Sequence, residues 1–272
     1  MTAPATPYVT EAGTEGPLVL CLHGIGSSSA SFAAQLAGLS TVARVVAWDA
    51  PGYGRSADPD TAPGLDGYAD AAAGLIRARG GSAHVIGVSW GGVIALRLAL
   101  RHPDLVASLV VADSTRGSGA DPEKAAAMRG RAAELAEAGP RAFAEARAPR
   151  LLAPGAPDEL VEAVTATMAD SIRLPGYGHA AASMADTDLG PELAAITQPA
   201  LVLCGEEDRI TGVAESQLIA GAMPKGVFVI LSGAGHLANQ EQPAAFNDWV
   251  RAHLRIAARV PESSSWNASP EP

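Results

Sequence analysis

The sequence predicts an α/β protein built on a doubly wound, mostly parallel sheet. Short runs rich in Val, Leu and Ile alternate with helix-length amphipathic runs along most of the chain. The strand runs are almost entirely apolar, as expected for parallel strands that are covered on both faces. The chain has 272 residues, of which 48% are hydrophobic and 18% charged. This composition supports one large core and excludes a chain that is disordered throughout.

The individual elements follow from these runs. Strands are predicted over 18–22, 42–49, 83–88, 106–113, 200–205 and 226–231. Helices are predicted over 31–39, 67–79, 90–101, 213–221 and 243–257. Because strands and helices alternate, right-handed crossovers would place helices on both faces of the sheet.

The alternation stops between residues 114 and 188. This region is rich in Ala, Glu and Arg, has helical periodicity and contains no strand run. Its stretches "DPEKAAAMRGRAAELAEAG" and "PDELVEAVTATMADSI" begin with Asp-Pro and Pro-Asp, which are typical helix starts. The insertion follows the carboxyl end of a strand, the edge where such sheets carry their sites. We therefore predict a helical cap over 114–188, a core over 1–113 and 189–258, and a disordered tail over 259–272.

Charge and cysteine content restrict the partners. The formal net charge is −10 and the sequence pI is about 5.0, which argues against nucleic acid or an anionic membrane and favours a small-molecule substrate. Cys21 and Cys204 lie in apolar strand runs, and no disulfide or zinc pattern is present. No signal peptide or membrane span is recognisable, so we expect a cytoplasmic protein and an incidental sequon at Asn267. Neither metal nor cofactor is expected, and the oligomeric state is not indicated.

The segment "GVSWG", residues 87–91, carries the strongest chemical signal. It fits the pattern G-x-S-x-G, with a predicted strand before it and a predicted helix after it, which is the context of a nucleophile elbow. Ser89 would project from a sharp turn, where side chains at positions 87 and 91 would collide. The amino terminus of the following helix would direct amides and a positive dipole toward the serine oxygen. Ser89 is thus the predicted nucleophile.

A nucleophilic serine needs a base and an acid that orients the base. Of six histidines, His236 lies in "SGAGHLANQEQP", in a loop just after the last strand and between small residues. Asp208 follows the strand that ends at residue 205, on the same edge of the sheet. Asp113 also ends a strand on that edge and is the alternative acid, although we favour Asp208. The order Ser89, Asp208, His236 is the chain order of the triad in α/β hydrolases.

These motifs resemble the α/β-hydrolase superfamily over residues 7–257. "LHGIG", "WDAPGYGRS", "GVSWGG", "GEEDRI" and "GAGHLANQEQP" resemble its oxyanion, D-x-P-G-x-G-x-S, elbow, acid and base segments. The resemblance implies an α/β-hydrolase fold and an oxyanion hole formed by the backbone amides of Ile25 and Trp90. It also implies that His23 packs the loop, while Asp49 and Ser56 brace the adjacent turn. The family usually opens with a longer two-strand hairpin, whereas here only about "YVTEAG" before Pro17 could form strand, so the first strand is expected to be missing or shortened.

Among relatives, the chain most resembles 3-oxoadipate enol-lactonases and allied small serine esterases. We therefore expect a Ser-His-Asp hydrolase that cleaves a small ester or lactone through an acyl-enzyme. A meta-cleavage-type carbon–carbon hydrolase, a perhydrolase, and a non-hydrolytic receptor or cyclase on the same fold are the alternatives. The side chains expected to line the pocket are Trp90, Met128, Leu151, Leu152 and Met184. The cap arginines that could bind a substrate carboxylate are Arg116, Arg129, Arg147, Arg150 and Arg173.

Overall fold

The computed structural model describes residues 6–259, which form a seven-stranded sheet with helices on both faces. The strand order is β1-β3-β2-β4-β5-β6-β7. Only β1 is antiparallel to its neighbour, and all other pairs are parallel. The strands are β1 Val9–Ala12, β2 Leu18–Leu22, β3 Arg44–Trp48, β4 Ala83–Val88, β5 Val106–Ala112, β6 Ala200–Gly205 and β7 Gly226–Leu231.

Two helical layers bury the sheet, as the uniformly apolar strands predict. In β2, Leu18, Leu20 and Leu22 enter the core on one face, whereas Val19 and Cys21 enter the core on the other. The first face is covered by α2 Gly64–Arg77, α3 Trp90–Arg101 and α7 Gly212–Ala222. The second face is covered by α1 Ala33–Leu39 and α9 Pro243–Ala257. The one-turn helix α8 Ala238–Glu241 follows the last strand.

The predicted α/β architecture with a doubly wound, mostly parallel sheet is confirmed. The edge strand β1 has four residues and pairs with β3 from Val9 to Ala12. The predicted bounds of four strands match those observed, whereas β3 is shorter than predicted at both ends and β5 ends one residue earlier. The predicted tail from residue 260 onward and the Asn267 sequon lie outside the described residues. Within 6–259, no helix has both the length and the apolar character that crossing a bilayer requires.

Three helices occupy the segment 114–188 between β5 and β6, which we call the cap. They are α4 Pro122–Arg147, α5 Asp158–Ser171 and α6 Gly176–Ala185. Asp121 caps α4 by accepting hydrogen bonds from the amides of Glu123 and Lys124, and the helix is interrupted at Gly139, where φ is 75°. Helix α6 was not predicted from the sequence. Most of its residues are buried, so it lacks the polar face that produces a helical period.

Candidate active site

Ser89 lies in a strained turn between β4 and α3. Its φ of 55° and ψ of −119° fall outside the regions that non-glycine residues ordinarily occupy. The Ser89 amide donates a hydrogen bond of 2.8 Å to the Ala112 carbonyl, which holds the turn against β5. A Cβ on Gly87 would collide with the Gly91 carbonyl, and one on Gly91 with the Leu22 carbonyl. The two glycines therefore provide the space in which this turn forms.

His236 and Asp208 extend from Ser89 as a continuous chain of hydrogen bonds. The Ser89 Oγ lies 2.9 Å from His236 Nε2, and His236 Nδ1 lies 3.0 Å from Asp208 Oδ2. The Asp208 carboxylate also accepts hydrogen bonds from the amides of Ile210 and Thr211 and from the Thr211 hydroxyl. His236 and Asp208 are both buried, at 3% and 7% exposure. This geometry keeps the Nδ1 proton on the side of Asp208 and leaves Nε2 free to accept the serine proton.

The electrostatics of this pair favour a basic imidazole beside an ionised carboxylate. Burial opposes charge on both groups, but the hydrogen bond and the charge of Asp208 outweigh it and raise the pKa of His236 above its usual value. Burial would likewise raise the pKa of Asp208, but hydrogen bonds from His236, Thr211 and Ile210 hold that pKa well below its ordinary range. A proton accepted at Nε2 would therefore be stabilised by a neighbouring negative charge.

Asp113, the alternative acid, makes no hydrogen bond to His236. Its two carboxylate oxygens accept from the amides of Gly205, at 2.8 Å, and Ala238, at 3.0 Å. Burial raises its pKa to about 7, against the effect of the nearby His236. Asp113 therefore ties the end of β6 to the loop that carries His236, and Asp208 is the carboxylate that contacts the base.

One group of side chains has the composition of a metal site. Ligand atoms of Asp113, Cys204 and Asp208 lie within 4.8 Å of one another. The oxygens of both carboxylates are already occupied by protein donors, and burial raises the pKa of the Cys204 thiol to about 12. This chemistry favours a hydrogen-bonded cluster over a cation site.

The segment "HGIG" lies against Ser89 and carries one candidate oxyanion donor. Gly24 approaches so closely that a Cβ there would lie 3.2 Å from the Ser89 Cβ. Within residues 6–259, the amides of Ile25 and Trp90 donate to no other protein group. Ile25 lines the cavity in front of Ser89, and Trp90 immediately follows the serine. Both amides are therefore available to a bound substrate.

The residues behind this segment are structural, as the family resemblance implies. His23 donates from Nδ1 to the Gly24 carbonyl, at 2.8 Å, and accepts at Nε2 from the Ala50 amide. Burial lowers its pKa to about 4, so the ring is neutral near pH 7. Asp49 accepts from the amides of Ser29 and Arg55, and Ser56 donates to the Asp49 carbonyl. These contacts hold the segment "HGIG" in place on the side away from the cavity.

A cavity of about 480 Å³ separates the core from the cap in front of Ser89. Its core side includes Ile25, Ser89 and His236, and its cap side includes the predicted residues Met128, Leu151 and Met184. Two predicted lining side chains are elsewhere. The Trp90 indole is fully buried beneath the cap, where its Nε1 donates to Ser183 Oγ and its ring packs on the edge of Tyr68. Leu152 packs with Ala148, Val164 and Leu237 in a small separate cluster.

Four of the five arginines considered from the sequence are engaged in ion pairs. Arg116 pairs with Glu215, Arg129 with Asp186, Arg147 with Glu134 and Arg173 with Asp58. Arg150 lines the cavity and has no ion pair among the described residues, but it is exposed. Arg131 was not predicted from the sequence; it is half-buried, lines the cavity and also lacks an ion pair within residues 6–259. Its spacing of three residues from Met128 and four from Leu135 placed it on the buried face of α4 and was the available signal.

The loop that carries His236 is bonded directly to the cap. The His236 amide donates to the Leu151 carbonyl at 2.7 Å. The Glu241 carboxylate accepts from the amides of Gly235 and Leu237 on either side of His236, and from the amide of Ala153 in the cap. One carboxylate thus joins the backbone around the base to the segment that supplies Leu151 to the cavity.

Known proteins share this fold over most of the chain. A model of the alpha/beta hydrolase family matches residues 19–249, and the chain belongs to that family. It is 28% identical over 255 residues to 3-oxoadipate enol-lactonase 2 of Acinetobacter baylyi, covering 92% of this chain and 93% of that protein. It is 31% identical over 250 residues to the 2-(acetamidomethylene)succinate hydrolase of Mesorhizobium japonicum, covering 88% and 87%. The malate-bound structure of a thermophilic esterase from Thermogutta terrifontis superposes with a TM-score of 0.83 at 29% identity, covering 92% of this chain and 93% of that one.

Proposed function

We propose that this protein is a serine hydrolase that cleaves small esters or lactones through a covalent acyl-enzyme. The observation that carries the proposal is the hydrogen-bonded chain of Ser89, His236 and Asp208, which opens into a cavity of about 480 Å³. A cavity of this size accepts a small organic molecule. Relatives named as an enol-lactonase and an esterase support the same class of reaction.

In the first half of the proposed reaction, Ser89 Oγ attacks the substrate carbonyl carbon and His236 Nε2 accepts the serine proton. The carbonyl oxygen becomes an oxyanion that accepts hydrogen bonds from the amides of Ile25 and Trp90. Loss of one such donor typically costs about 3–4 kcal/mol of transition-state stabilisation. The bond to the leaving oxygen then breaks, and His236 gives its proton to that oxygen.

In the second half, His236 takes a proton from water, whose oxygen attacks the acyl carbon. The bond to Ser89 Oγ breaks, the serine recovers its proton from His236, and a carboxylic acid leaves. Asp208 stays ionised throughout and stabilises the charged imidazole. For a lactone, the alcohol and the acid are ends of one product, so the cavity must hold the opened chain.

The identity of the nucleophile disfavours two other reactions on this fold. Displacement at an alkyl halide or an epoxide by Ser89 would form an ether, which the triad cannot hydrolyse. A serine does react productively with carbonyl carbon, which esters, lactones and the diketones of carbon–carbon hydrolases all provide. Product analysis distinguishes these classes, since ester and lactone cleavage breaks a carbon–oxygen bond.

The proposal is tested by fluorophosphonate labelling followed by a panel of lactones and p-nitrophenyl esters of increasing acyl length. We expect one phosphonyl adduct on Ser89 and saturable release of p-nitrophenol or ring opening. Ser89→Ala should abolish both, whereas Ser27→Ala, which removes another cavity-lining hydroxyl, should retain the adduct. Folded wild-type protein that forms no adduct would overturn the assignment.

A further inference from the structure

We propose that Arg131 binds a carboxylate of the substrate, so that the site acts on anionic esters or lactones in preference to neutral ones. The inference deepens the proposed hydrolase function and rests on it. It depends on three properties of Arg131: its missing counter-ion, its burial against the cavity, and its closeness to the base.

Arg131 is set apart by the pairing of the other charges around the cavity. Arg116 is neutralised by Glu215, Lys124 lies 3.8 Å from Asp121, and Arg147 pairs with Glu134 at 2.5 Å. Within the described range 6–259, no carboxylate lies within ion-pairing distance of Arg131. This is unexpected in a chain with a formal net charge of −10, in which acidic partners outnumber basic ones.

The surroundings of Arg131 make an unpaired cation unfavourable in the empty cavity. The side chain is half-buried, and burial lowers the pKa of its guanidinium, which still remains charged near neutral pH. The buried Tyr177 side chain lines the same cavity. A carboxylate entering this position would supply the missing charge and accept two hydrogen bonds from the planar guanidinium. Arg150 is exposed to solvent, so its guanidinium is not desolvated as that of Arg131 is.

Arg131 also lies close enough to the catalytic machinery to be part of one substrate site. The guanidinium, Ser89 and His236 line the same cavity. The positive charge of Arg131 opposes protonation of His236, so the two groups interact electrostatically across that space. A small substrate can therefore present its scissile carbonyl to Ser89 while its carboxylate contacts Arg131. Cap side chains near this path, including Met128, Val164 and Met168, are apolar and suit a short hydrocarbon spacer.

The first test compares two substrates of nearly equal shape, mono-p-nitrophenyl glutarate and its neutral methyl ester. We expect wild-type protein to have the higher kcat/KM on the charged ester. Arg131→Gln should reduce the ratio of charged to neutral kcat/KM by about 10- to 100-fold, the usual effect of losing a hydrogen bond to a charged group. Arg131→Lys should restore part of the ratio, since it returns the charge without the planar fork.

Arg129→Gln is the matched control, because Arg129 is on the same helix but pairs with Asp186 outside the cavity. It should leave the substrate ratio at the wild-type value. Equal losses on both esters in Arg131→Gln would indicate a structural role and overturn the inference. A wild-type enzyme that prefers the neutral ester would also overturn it.

The second test separates this inference from the hydrolase proposal by measuring protection of Ser89 from fluorophosphonate. Glutarate should slow labelling of wild-type protein, its neutral diamide should not, and Arg131→Gln should remove the glutarate effect. Labelling without protection by glutarate refutes the carboxylate site and leaves the hydrolase intact. Absence of labelling refutes the hydrolase itself and, with it, the site that depends on it.

Discussion

The core and the cap hold their functional residues by different physical means. In the core, Ser89 is fixed by a strained backbone turn, and His236 and Asp208 are buried and bonded to each other and to nearby groups. In the cap, the helices pack through apolar side chains, and their exposed surface carries ion pairs such as Arg129 with Asp186. Exposed pairs contribute little to stability, whereas buried networks tolerate few changes. We therefore expect substitutions in the core network to affect the proposed reaction strongly, and substitutions of exposed cap residues to cost little stability.

The largest effect that this contrast predicts is on Ser89→Ala. Removing the hydroxyl removes the proposed nucleophile, so kcat should fall by about 10⁴- to 10⁶-fold. The φ angle at this position is as strained for alanine as for serine, so the urea midpoint of unfolding should change little. Steady-state kinetics and urea titration measure the two quantities. Retention of more than a hundredth of the activity would contradict the role of Ser89.

Asp208→Asn and Asp113→Asn compare two carboxylates at the same edge of the sheet. Asp208→Asn should lower kcat by about 10⁴-fold, because an amide cannot hold His236 in the required tautomer. In Asp113→Asn, the side-chain NH₂ group would face one of the two backbone N–H donors. This should lower the free energy of unfolding by about 1–3 kcal/mol, with a smaller loss of activity than in Asp208→Asn. A larger kinetic loss in Asp113→Asn would reverse the assignment of the acid.

The pH dependence of kcat/KM tests the coupling within the core. The proposed reaction requires neutral His236, and Asp208 raises the pKa of that imidazole. The rate should therefore rise with pH and reach half its maximum above about pH 6.5, the ordinary value for histidine. Two pH units below the midpoint, about 100-fold of the rate should be lost. In Asp208→Asn the midpoint should move to lower pH, and a wild-type midpoint below 6.5 would contradict this account.

Glu241→Gln tests the connection between the two regions. The glutamine side chain has a single acceptor oxygen. It therefore cannot accept hydrogen bonds from the backbone amides of Gly235 and Ala153 on separate oxygens, as the carboxylate does. We expect kcat/KM to fall by about 10-fold, in line with small displacements of a catalytic group. The midpoint of the pH profile should also move down, because a negative charge near His236 is removed. The exposed cap carboxylate Glu159 supplies the control, and Glu159→Gln should match wild type in both measurements.

The smallest effect is expected for Arg129→Ala on the outer surface of the cap. Its exposed pair with Asp186 should contribute less than about 1 kcal/mol to the free energy of unfolding, as such pairs generally do. Urea denaturation measures this value, and activity should be unchanged. A loss above 2 kcal/mol would show that the cap depends on its surface charges more than the core–cap contrast implies.

The same contrast explains what could be predicted from sequence. Ser89, Asp208 and His236 each follow an apolar strand, so a local pattern brings all three to one edge of the sheet. The Trp90 indole could not be assigned in this way, because its place under Ser183 depends on how α6 packs. Arg131 became distinctive only when the partners of other arginines were known, which local sequence does not encode. Helix α6 has no polar face, so its sequence shows no helical hydrophobic period from which it could be predicted.

The backbone contacts between residues 151–153 and the His236 loop have a consequence for building chimeric enzymes. Leu151 and Ala153 belong to the cap by sequence, yet their backbone groups bond to the base loop and to Glu241. A foreign cap spliced in at residues 114 and 188 would replace these backbone contacts along with the cap side chains that line the cavity. Grafts that exchange α4 through α6 but keep residues 148–153 from this chain would transfer selectivity without disturbing the base.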